Sequence, residues 1–432
     1  MRNILIILMM LLFQNLSAQQ TINLTFEKAK ELAISQSLIV KMATKEAEFA
    51  ESQVDEAYST LYPQIEGILN YTRNFKNPLI ISSAFPQPIE MGKRHSMVAG
   101  ISVNQAIWIG GKLFTARDIA ELAFDDAQNG IKVSKENLIN DVTKTFYSAL
   151  LMKEILNVTE EMLLSAKENF KNIKALKKEG MASEFDSLRV SVFVANLETE
   201  VIQSTGNYKT VVNALKFLLE MELKQKVEII GQLVFIPVEH VENVNEVLNN
   251  NRTELQRLKT KKEILVKLKS IERANHFPSV FAMGNLQRVA NSDDFIPKDK
   301  SQFTVLNAGI GISIPLFNGF QTSVKVQQAQ IQIDIIEQGI QLFLSKSKME
   351  IENSSLKLEE ALKRIASQKQ SVSMAEKAVE IAKVRFKNGL STQVELNDAE
   401  TALKRVKLAR LAAIYDYMIA KTEYKKLLGI VN

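Results

Sequence analysis

The chain has 432 residues, enough for a large hydrophobic core or for several domains. Its charged fraction of 24% and its apolar fraction of 46% are ordinary for a folded protein. The net charge of +5 is weak over this length, so the composition does not indicate nucleic-acid binding. Cysteine is absent, which excludes disulfides, thiolate metal ligands and a cysteine nucleophile.

The N-terminus has the three-part layout of a secretory signal peptide. Arg2 supplies a positive charge, Ile4–Phe13 is an uninterrupted apolar run, and small residues follow up to Ala18. A short membrane anchor is the alternative, but the run is about half of the ~20 residues that a spanning helix needs. We therefore expect residues 1–18 to be a signal peptide that is cleaved near Ala18 or Gln19. A mature chain that spans a membrane must then do so with strands.

The first half of the mature chain predicts helices around a strand hairpin. A helix that begins near Leu24 stops before Pro63, because a proline disfavours helical geometry at the preceding residue. Alternating apolar and polar residues at both ends of 64–105, around a Pro-rich loop, predict a β-hairpin. A very long helix over 112–179 and a second helix over 183–221 follow.

The second half repeats this order. A helix that begins at Val244 stops before Pro278, and a β-hairpin is predicted over 279–315. A very long helix over 320–388 and a last helix over 391–428 complete the copy.

Two spacings indicate that the halves are duplicates. The separation between Gly110 and Gly319 equals the separation between Gly180 and Gly389. Pro237 and its neighbours predict an irregular connector between the copies. The predicted domains are therefore a first copy, a connector and a second copy, over residues 19–221, 222–243 and 244–432.

The long helices carry a coiled-coil period. Apolar residues alternate steps of three and four, which predicts left-handed supercoiling against neighbouring helices. In the second copy these residues include Val326, Ala329, Ile333, Ile336, Ile340 and Phe343. Each long helix is expected to extend on the order of 100 Å, at a rise of about 1.5 Å per residue.

The strands have the length and pattern of membrane-spanning strands. Each is roughly ten residues long, which suits a tilted transmembrane strand. On the last strand, Ala308, Ile310 and Ile312 are expected to face lipid, because they alternate with Asn307 and Gly309. Small bacterial barrels need about eight strands, so four strands per chain would require an oligomer.

Taken together, this order of elements resembles the TolC-like outer-membrane efflux family over essentially the whole mature chain. The motifs are Ser313–Gly319, similar to the family's strand-exit motif, and Arg385–Ala399, similar to its helix-tip motif. The first-copy equivalents, Asn104–Lys112 and Leu176–Ser187, are more degenerate. The resemblance implies a mainly α fold with a small transmembrane β-barrel, in which three protomers build a twelve-stranded barrel on a periplasmic α-helical barrel.

The resemblance also implies a function and a set of partners. The protein would be the passive exit duct of a tripartite efflux or type I secretion system, with no cofactor and no enzymatic activity. It would contact outer-membrane lipid, a periplasmic adaptor and an inner-membrane pump. The loops Phe75–Arg94 and Arg288–Phe303 would then face the outside of the cell. The sequence does not predict which substrate is exported.

Acidic residues after the second helix tip are candidates for the periplasmic aperture. Glu395 and Asp398 lie three residues apart on one helical face, and Asp186 holds the position in the first copy that Glu395 holds in the second. The resemblance implies that such acids ring the mouth, whereas a solvated helix face is the alternative. Phe386 occupies an aromatic position of this region, with helix packing as its alternative role. Ser391 stands where some members carry a basic residue that helps to lock the mouth closed. The sequence therefore does not predict how the mouth is locked in this protein.

The remaining candidate residues form turns. The resemblance implies that both helix tips contact the adaptor, through Gly180, Met181, Ala182 and Ser183 and through Gly389, Leu390, Ser391 and Thr392. Each glycine suits a left-handed helix end, and Ser183 and Thr392 suit N-caps. The strand-to-helix turns are expected at Gly110, Gly111, Pro315 and Gly319.

Other classes of function find little support in the sequence. His95, His240 and His276 share no metal-ligand spacing, so no metal site is expected. Gly110-Gly111 lacks the Lys-Ser/Thr of a phosphate loop. No nucleophile–base pair supports a hydrolase. A soluble periplasmic coiled-coil adaptor or scaffold is the main alternative, although it would not need four symmetrically placed alternating segments.

Overall fold

The computed structural model describes residues 21–81, 86–237, 244–295 and 302–430. The expected signal peptide with its cleavage point, His240, and the part of the second hairpin loop around Pro297 lie outside these residues. The chain divides into two compact units, and both long helices pass through both of them. One unit comprises the chain up to Thr44, Asn129–Leu255 and the residues from Gln341 onward; the other comprises Lys45–Gln128 and Gln256–Ile340.

The described elements follow the same order in both halves, except for short strands that lie inside the first hairpin loop and near both ends of the first half. The helices are α1 (Phe26–Gln36), α2 (Leu38–Ser59), α3 (Lys112–Lys178), α4 (Glu184–Leu218), α5 (Val244–Asn251), α6 (Thr253–Ala274), α7 (Gln321–Lys387) and α8 (Gln393–Leu427). The strands are β1 (Ile22–Leu24), β2 (Gln64–Arg73), β3 (Leu79–Ile80), β4 (Ile89–Glu90), β5 (His95–Trp108), β6 (Val227–Ile229), β7 (Ser279–Ser292) and β8 (Gln302–Ser313).

The helices of the two copies match in length. The long helices α3 and α7 have 67 residues each, and the helices that follow them, α4 and α8, have 35 residues each. In the part of the chain that the structure describes, every helix is too short or too polar to cross a membrane.

The first helix of each copy, predicted as continuous, is interrupted. In the first copy the break lies at Ser37, where the Leu38 N–H donates to Glu220 Oε1 at 3.2 Å. In the second copy it lies at Arg252, whose Nη1 donates to the Leu427 carbonyl at 2.9 Å. Each break therefore meets the end of the last helix in its own copy. The sequence signal for a stop is missing because the partner residue lies far away in the chain rather than at the break.

Short strands also form where the sequence predicted loops. β6 lies in the predicted irregular connector and pairs in parallel with β1, from Ile22–Val227 to Leu24–Ile229. β3 and β4 form a two-residue ladder inside the first hairpin loop. Three-residue and two-residue strands carry too little periodicity to be predicted from a pattern.

The strand pair β1–β6 helps to enclose the core of the first unit. Leu24 and Ile229 are fully buried in a cluster with Phe146, Leu150 and Leu215 from α3 and α4. Burying one such side chain stabilises the fold by about 1.5–3 kcal/mol. The connector is thus part of the core rather than a free linker.

The second unit contains an antiparallel sheet with the order β2-β5-β7-β8 among its described residues. β7 and β8 are longer than predicted, so the loop expected over Arg288–Phe303 begins after Ser292 and ends before Gln302. Arg288 thus lies within a strand. The prediction was wrong here because Arg288 interrupts the apolar alternation, and a charged residue on the apolar face indicates a loop when the sequence is read alone.

Candidate functional site: the helix tips and the sheet faces

The first helix tip, between α3 and α4, is fixed by backbone geometry. Gly180 adopts φ 73°, the left-handed conformation that glycine adopts without a Cβ penalty. Its N–H donates to the Lys177 carbonyl at 3.0 Å, and the Met181 N–H donates to the Leu176 carbonyl at 2.8 Å. These two bonds are a Schellman ending, and they satisfy carbonyls that a helix end leaves free.

The second tip, between α7 and α8, repeats this ending. Gly389 adopts φ 71°, its N–H donates to the Phe386 carbonyl at 3.0 Å, and the Leu390 N–H donates to the Arg385 carbonyl at 2.9 Å. Arg385 Nη2 also donates to the Leu390 carbonyl at 3.2 Å. Met181 and Leu390 occupy equivalent positions and are 75% and 68% exposed. Each tip therefore presents one large apolar side chain on a rigid turn.

The two helices that follow the tips begin differently. Ser183 forms a full capping box: its Oγ accepts from the Asp186 N–H at 3.0 Å, and Asp186 Oδ2 accepts from the Ser183 N–H at 3.2 Å. Thr392 Oγ1 accepts from the Glu395 N–H at 3.4 Å, and the Glu395 carboxylate returns no bond to the Thr392 backbone. Asp186 is thus bound locally, whereas within the described residues the carboxylate of Glu395 has just a long contact of 3.5 Å with the Thr392 hydroxyl.

The candidate aperture acids of the second copy face solvent in the single chain. Glu395 and Asp398 are exposed, while Leu396 between them is buried. Among the described residues neither carboxylate has an ion-pair partner. Phe386 and Ser391 are half-buried, and no hydrogen-bond partner of the Ser391 Oγ is found in the described part of the chain. Asp186 and Glu395 are not joined by a hydrogen bond in the described structure.

A third acid near the second tip was missed from the sequence. Glu400 is 6% exposed, and its Oε1 accepts from Ser165 Oγ of α3 at 2.8 Å and lies 3.6 Å from Lys383 Nζ of α7. Its Oε2 is buried without a hydrogen-bond partner in the described residues. Glu400 thus joins one helix of the first copy to two of the second. In the sequence, the apolar residues Leu396, Ala399 and Leu403 continue the three-and-four spacing through the last helix, and Glu400 directly follows one of them, which is the signal for a helix-facing side chain.

The strand-to-helix turns lie where the sequence places them, with one difference between copies. Gly110 and Gly111 adopt φ 69° and 83°, and a Cβ on Gly110 would lie 2.8 Å from the Ala274 carbonyl oxygen. Gly319 adopts φ 64° after Pro315, but the next residue is Phe320 at φ 65°. A side chain therefore occupies a left-handed position in the second copy where the first copy has glycine.

One face of the sheet is apolar in its middle rows across all four described strands, and polar residues appear on it toward the hairpin loops. The register aligns Gly67, Ile101, Leu286 and Leu306 in one row. The next row on the same face contains Ile65, Val103, Gly284 and Ala308. Since side chains alternate along a strand, Ile310 and Ile312 belong to this face as well, and Ile310 is 72% exposed. A single protomer leaves this apolar surface uncovered.

The opposite face is more polar in its middle rows and carries apolar residues toward its ends, among them Phe281, Met283 and Phe303. The register aligns Glu66, Ser102, Asn285 and Asn307 in one row. Gln64 and Asn104 pair in the adjacent row of the same face. Apolar alternation with a polar partner face is the pattern of strands that separate lipid from water.

Comparison with known proteins defines the class that this fold and these sites belong to. The family model described as "Outer membrane efflux protein" matches residues 30–220 and again residues 244–430. The chain therefore belongs to the outer membrane efflux protein family.

Individual relatives are more distant. The chain is 21% identical to outer membrane efflux protein BepC of Brucella suis over 86% of its length and 77% of the relative's. It is 19% identical to nodulation protein T of Rhizobium leguminosarum over 93% of its length and 83% of the relative's. Its fold matches the Campylobacter jejuni CmeC outer membrane channel with a TM-score of 0.79, at 18% identity over 94% of this chain and 85% of CmeC.

Proposed function

We propose that the chain is one protomer of a trimeric outer-membrane duct that passively conducts substrates delivered by an inner-membrane pump and a periplasmic adaptor. The four-stranded sheet, with an apolar band across one of its faces, carries this proposal. In the described structure β2 and β8 form its edges without a further strand. Unpaired backbone groups cost several kcal/mol each in lipid, so a membrane-embedded sheet has to close with other copies.

Three copies supply enough strands to close a barrel. The test is the mass of the detergent-purified protein by native mass spectrometry, together with its mobility on gels before and after heating. We expect a trimer that loses its compact mobility only when heated. A stable monomer in detergent contradicts the barrel.

The orientation of the duct follows from the hairpin loops, which we place outside the cell. An epitope inserted at Ser83 or at Lys298 is expected to bind antibody on intact cells, because both positions lie between the two strands of a hairpin. Ser292 falls inside the loop that the sequence predicts over Arg288–Phe303, but it is buried at the end of β7 and is therefore not used for insertion. Antibody binding only after the outer membrane is permeabilised contradicts this orientation.

The two helix tips are the proposed adaptor contacts and periplasmic mouth. Met181 and Leu390 offer exposed apolar side chains on rigid turns, which suits packing against a helical hairpin of a partner. In a trimer each acid near a tip occurs three times around one axis. Glu395 and Asp398 would then form a negative ring, because their carboxylates have no local ion pair in the described structure.

A soluble scaffold built from the same helices is the competing function. It would leave the apolar sheet face exposed to water, and large exposed apolar patches are rare on soluble monomers. Extraction of membranes without detergent separates the two: a scaffold is released, whereas the proposed channel stays in the pellet.

A further inference from the structure

We propose that Arg73 and Arg288 form a binding surface for a membrane lipid that carries two phosphate groups, at the loop end of the apolar sheet face. The inference rests on the proposed function, since it requires that this face contacts lipid. Both arginines lie on the apolar face by strand alternation: Arg73 follows Leu69 and Tyr71 on β2, and Arg288 follows Leu286 on β7.

Arg288 lies on the lipid-facing side of the sheet, where a charged side chain without a polar partner is unfavourable. It pairs with Ala99 of β5 and Thr304 of β8, one row toward the loops from the row of Ile101, Leu286 and Leu306. A charged side chain on the lipid face is destabilising near the midplane and nearly neutral at the headgroups. The position therefore favours a side chain that extends toward the headgroups.

The hydrogen bond of Arg288 indicates that extension. Its Nε donates to Gln302 Oε1 at 3.0 Å. Gln302 pairs with Ala290, so it lies one row closer to the hairpin loop on the same face. This bond orients the guanidinium toward the loop end and uses only the Nε edge. In the described residues no carboxylate lies within ion-pairing distance of Arg288.

Arg73 is the second cation, at the end of β2. It pairs with His95, and its guanidinium lies 5.2 Å from the ring centroid of Phe75. It too has no carboxylate at ion-pairing distance within the described part of the chain. Lys93 differs, because its Nζ lies 2.7 Å from Asp293, and this hydrogen bond lowers the pKa of the Asp293 carboxyl. Two cations at this end thus retain donors for an external anion.

Aromatic groups between the arginines fit the level of lipid headgroups. The Tyr71 hydroxyl lies 2.8 Å from His95 Nδ1, and both rings contact Phe295 with centroids 5.9 Å away. Tyrosine is enriched at membrane interfaces, where its ring meets lipid and its hydroxyl meets water. The cluster marks the boundary at which phosphate groups of a lipid would lie.

The spacing of the arginines defines the ligand. β2 and β7 flank β5, so the backbones of the two arginines are two strand spacings apart laterally, about 10 Å. Arg73 pairs with His95 and Arg288 with Ala99, so Arg73 also lies about 14 Å closer to the loops along the strands. The extension of Arg288 toward the loop end shortens this separation between the two guanidiniums. A guanidinium binds phosphate through paired N–H donors, a geometry that lysine cannot match. The arrangement therefore fits a glycolipid with two separated phosphate groups, one for each arginine.

The test is native mass spectrometry of the detergent-purified full-length protein. The double variant Arg73→Gln/Arg288→Gln is compared with Lys76→Gln/Arg94→Gln, which removes the same charge from the adjoining loop. The probes are a bis-phosphorylated glycolipid, phosphatidylcholine and inorganic phosphate. We expect the wild type and the loop control to retain the glycolipid at least tenfold better than phosphatidylcholine, and the arginine variant to lose this preference.

Two results overturn the inference. One is unchanged glycolipid retention in the arginine variant, and the other is displacement of the glycolipid by millimolar inorganic phosphate, which would identify a site for the free anion. Both results apply only to protein that has inserted into membranes and assembled as a trimer. A protein that does not enter membranes at all contradicts the proposed function instead.

Discussion

The two copies of the duplicated unit share one backbone plan but place different side chains at equivalent positions. Their long helices have equal lengths, and their tips end in the same left-handed glycine. However, Asp186 is bound in a capping box, while its equivalent Glu395 leaves its carboxylate in solvent. The backbone plan is what the fold requires, and the free acid is available for function. We therefore expect that, of the proposed aperture acids, those of the second copy affect ion selectivity more than Asp186 does.

The largest effect on stability is expected for substitutions at equivalent positions of the two copies in the sheet. Ile101 and Ile310 occupy equivalent positions, and both lie on the apolar face. Substituting either by Arg should cost roughly 2–4 kcal/mol if it lies near the membrane midplane. Asn307→Arg on the polar face is the matched control and should be milder. Trimer yield on unheated gels measures this, and equal yields of Ile310→Arg and Asn307→Arg would contradict the assigned facing.

The ends of the fourth and eighth helices give a second test. Gly429 adopts φ 69°, and a Cβ there would lie 2.6 Å from the Asn251 carbonyl oxygen. Gly429→Ala should therefore destabilise the protein by about 1–3 kcal/mol. In the first copy the equivalent Glu220 already has φ 53° and accepts a hydrogen bond from Leu38.

Glu220→Gly should be close to neutral, since relief of backbone strain offsets the lost hydrogen bond. The dissociation temperature of the trimer reports both substitutions. Equal shifts for Gly429→Ala and Glu220→Gly would show that the two helix ends are not constrained differently.

The sequence predicts the regular parts of the fold and misses the parts that depend on distant residues. Gly180 and Gly389 mark the tips because a left-handed helix end is a local requirement. The breaks at Ser37 and Arg252 are not local, since their partners are Glu220 and Leu427. Glu400 was missed for the same reason: its partner Ser165 belongs to the other copy.

The N-caps of the tips give a smaller effect. Ser183→Ala removes the bond from the Asp186 N–H at 3.0 Å and the hydroxyl donor of the Asp186 carboxylate, which keeps only the Ser183 backbone N–H, and should cost about 1–2 kcal/mol. Thr392→Ala removes a longer bond of 3.4 Å and should cost less. Hydrogen exchange of the first turns of α4 and α8 measures the local opening. Faster exchange of the first turn of α8 in Thr392→Ala than of the first turn of α4 in Ser183→Ala would show that Thr392, not Ser183, is the stronger cap.

Charge at the mouth is the central claim, and single-channel recording in planar bilayers tests it most directly. In Glu395→Gln/Asp398→Asn we expect lower cation selectivity and weaker block by multivalent cations, because a ring of carboxylates attracts cations and is screened by salt. Asp186→Asn is the matched control from the first copy and should change selectivity less, since its carboxylate is held in the capping box. Trimer assembly should stay intact in both variants. Unchanged selectivity and unchanged block in the double variant would contradict the account and identify these acids as a solvated helix face.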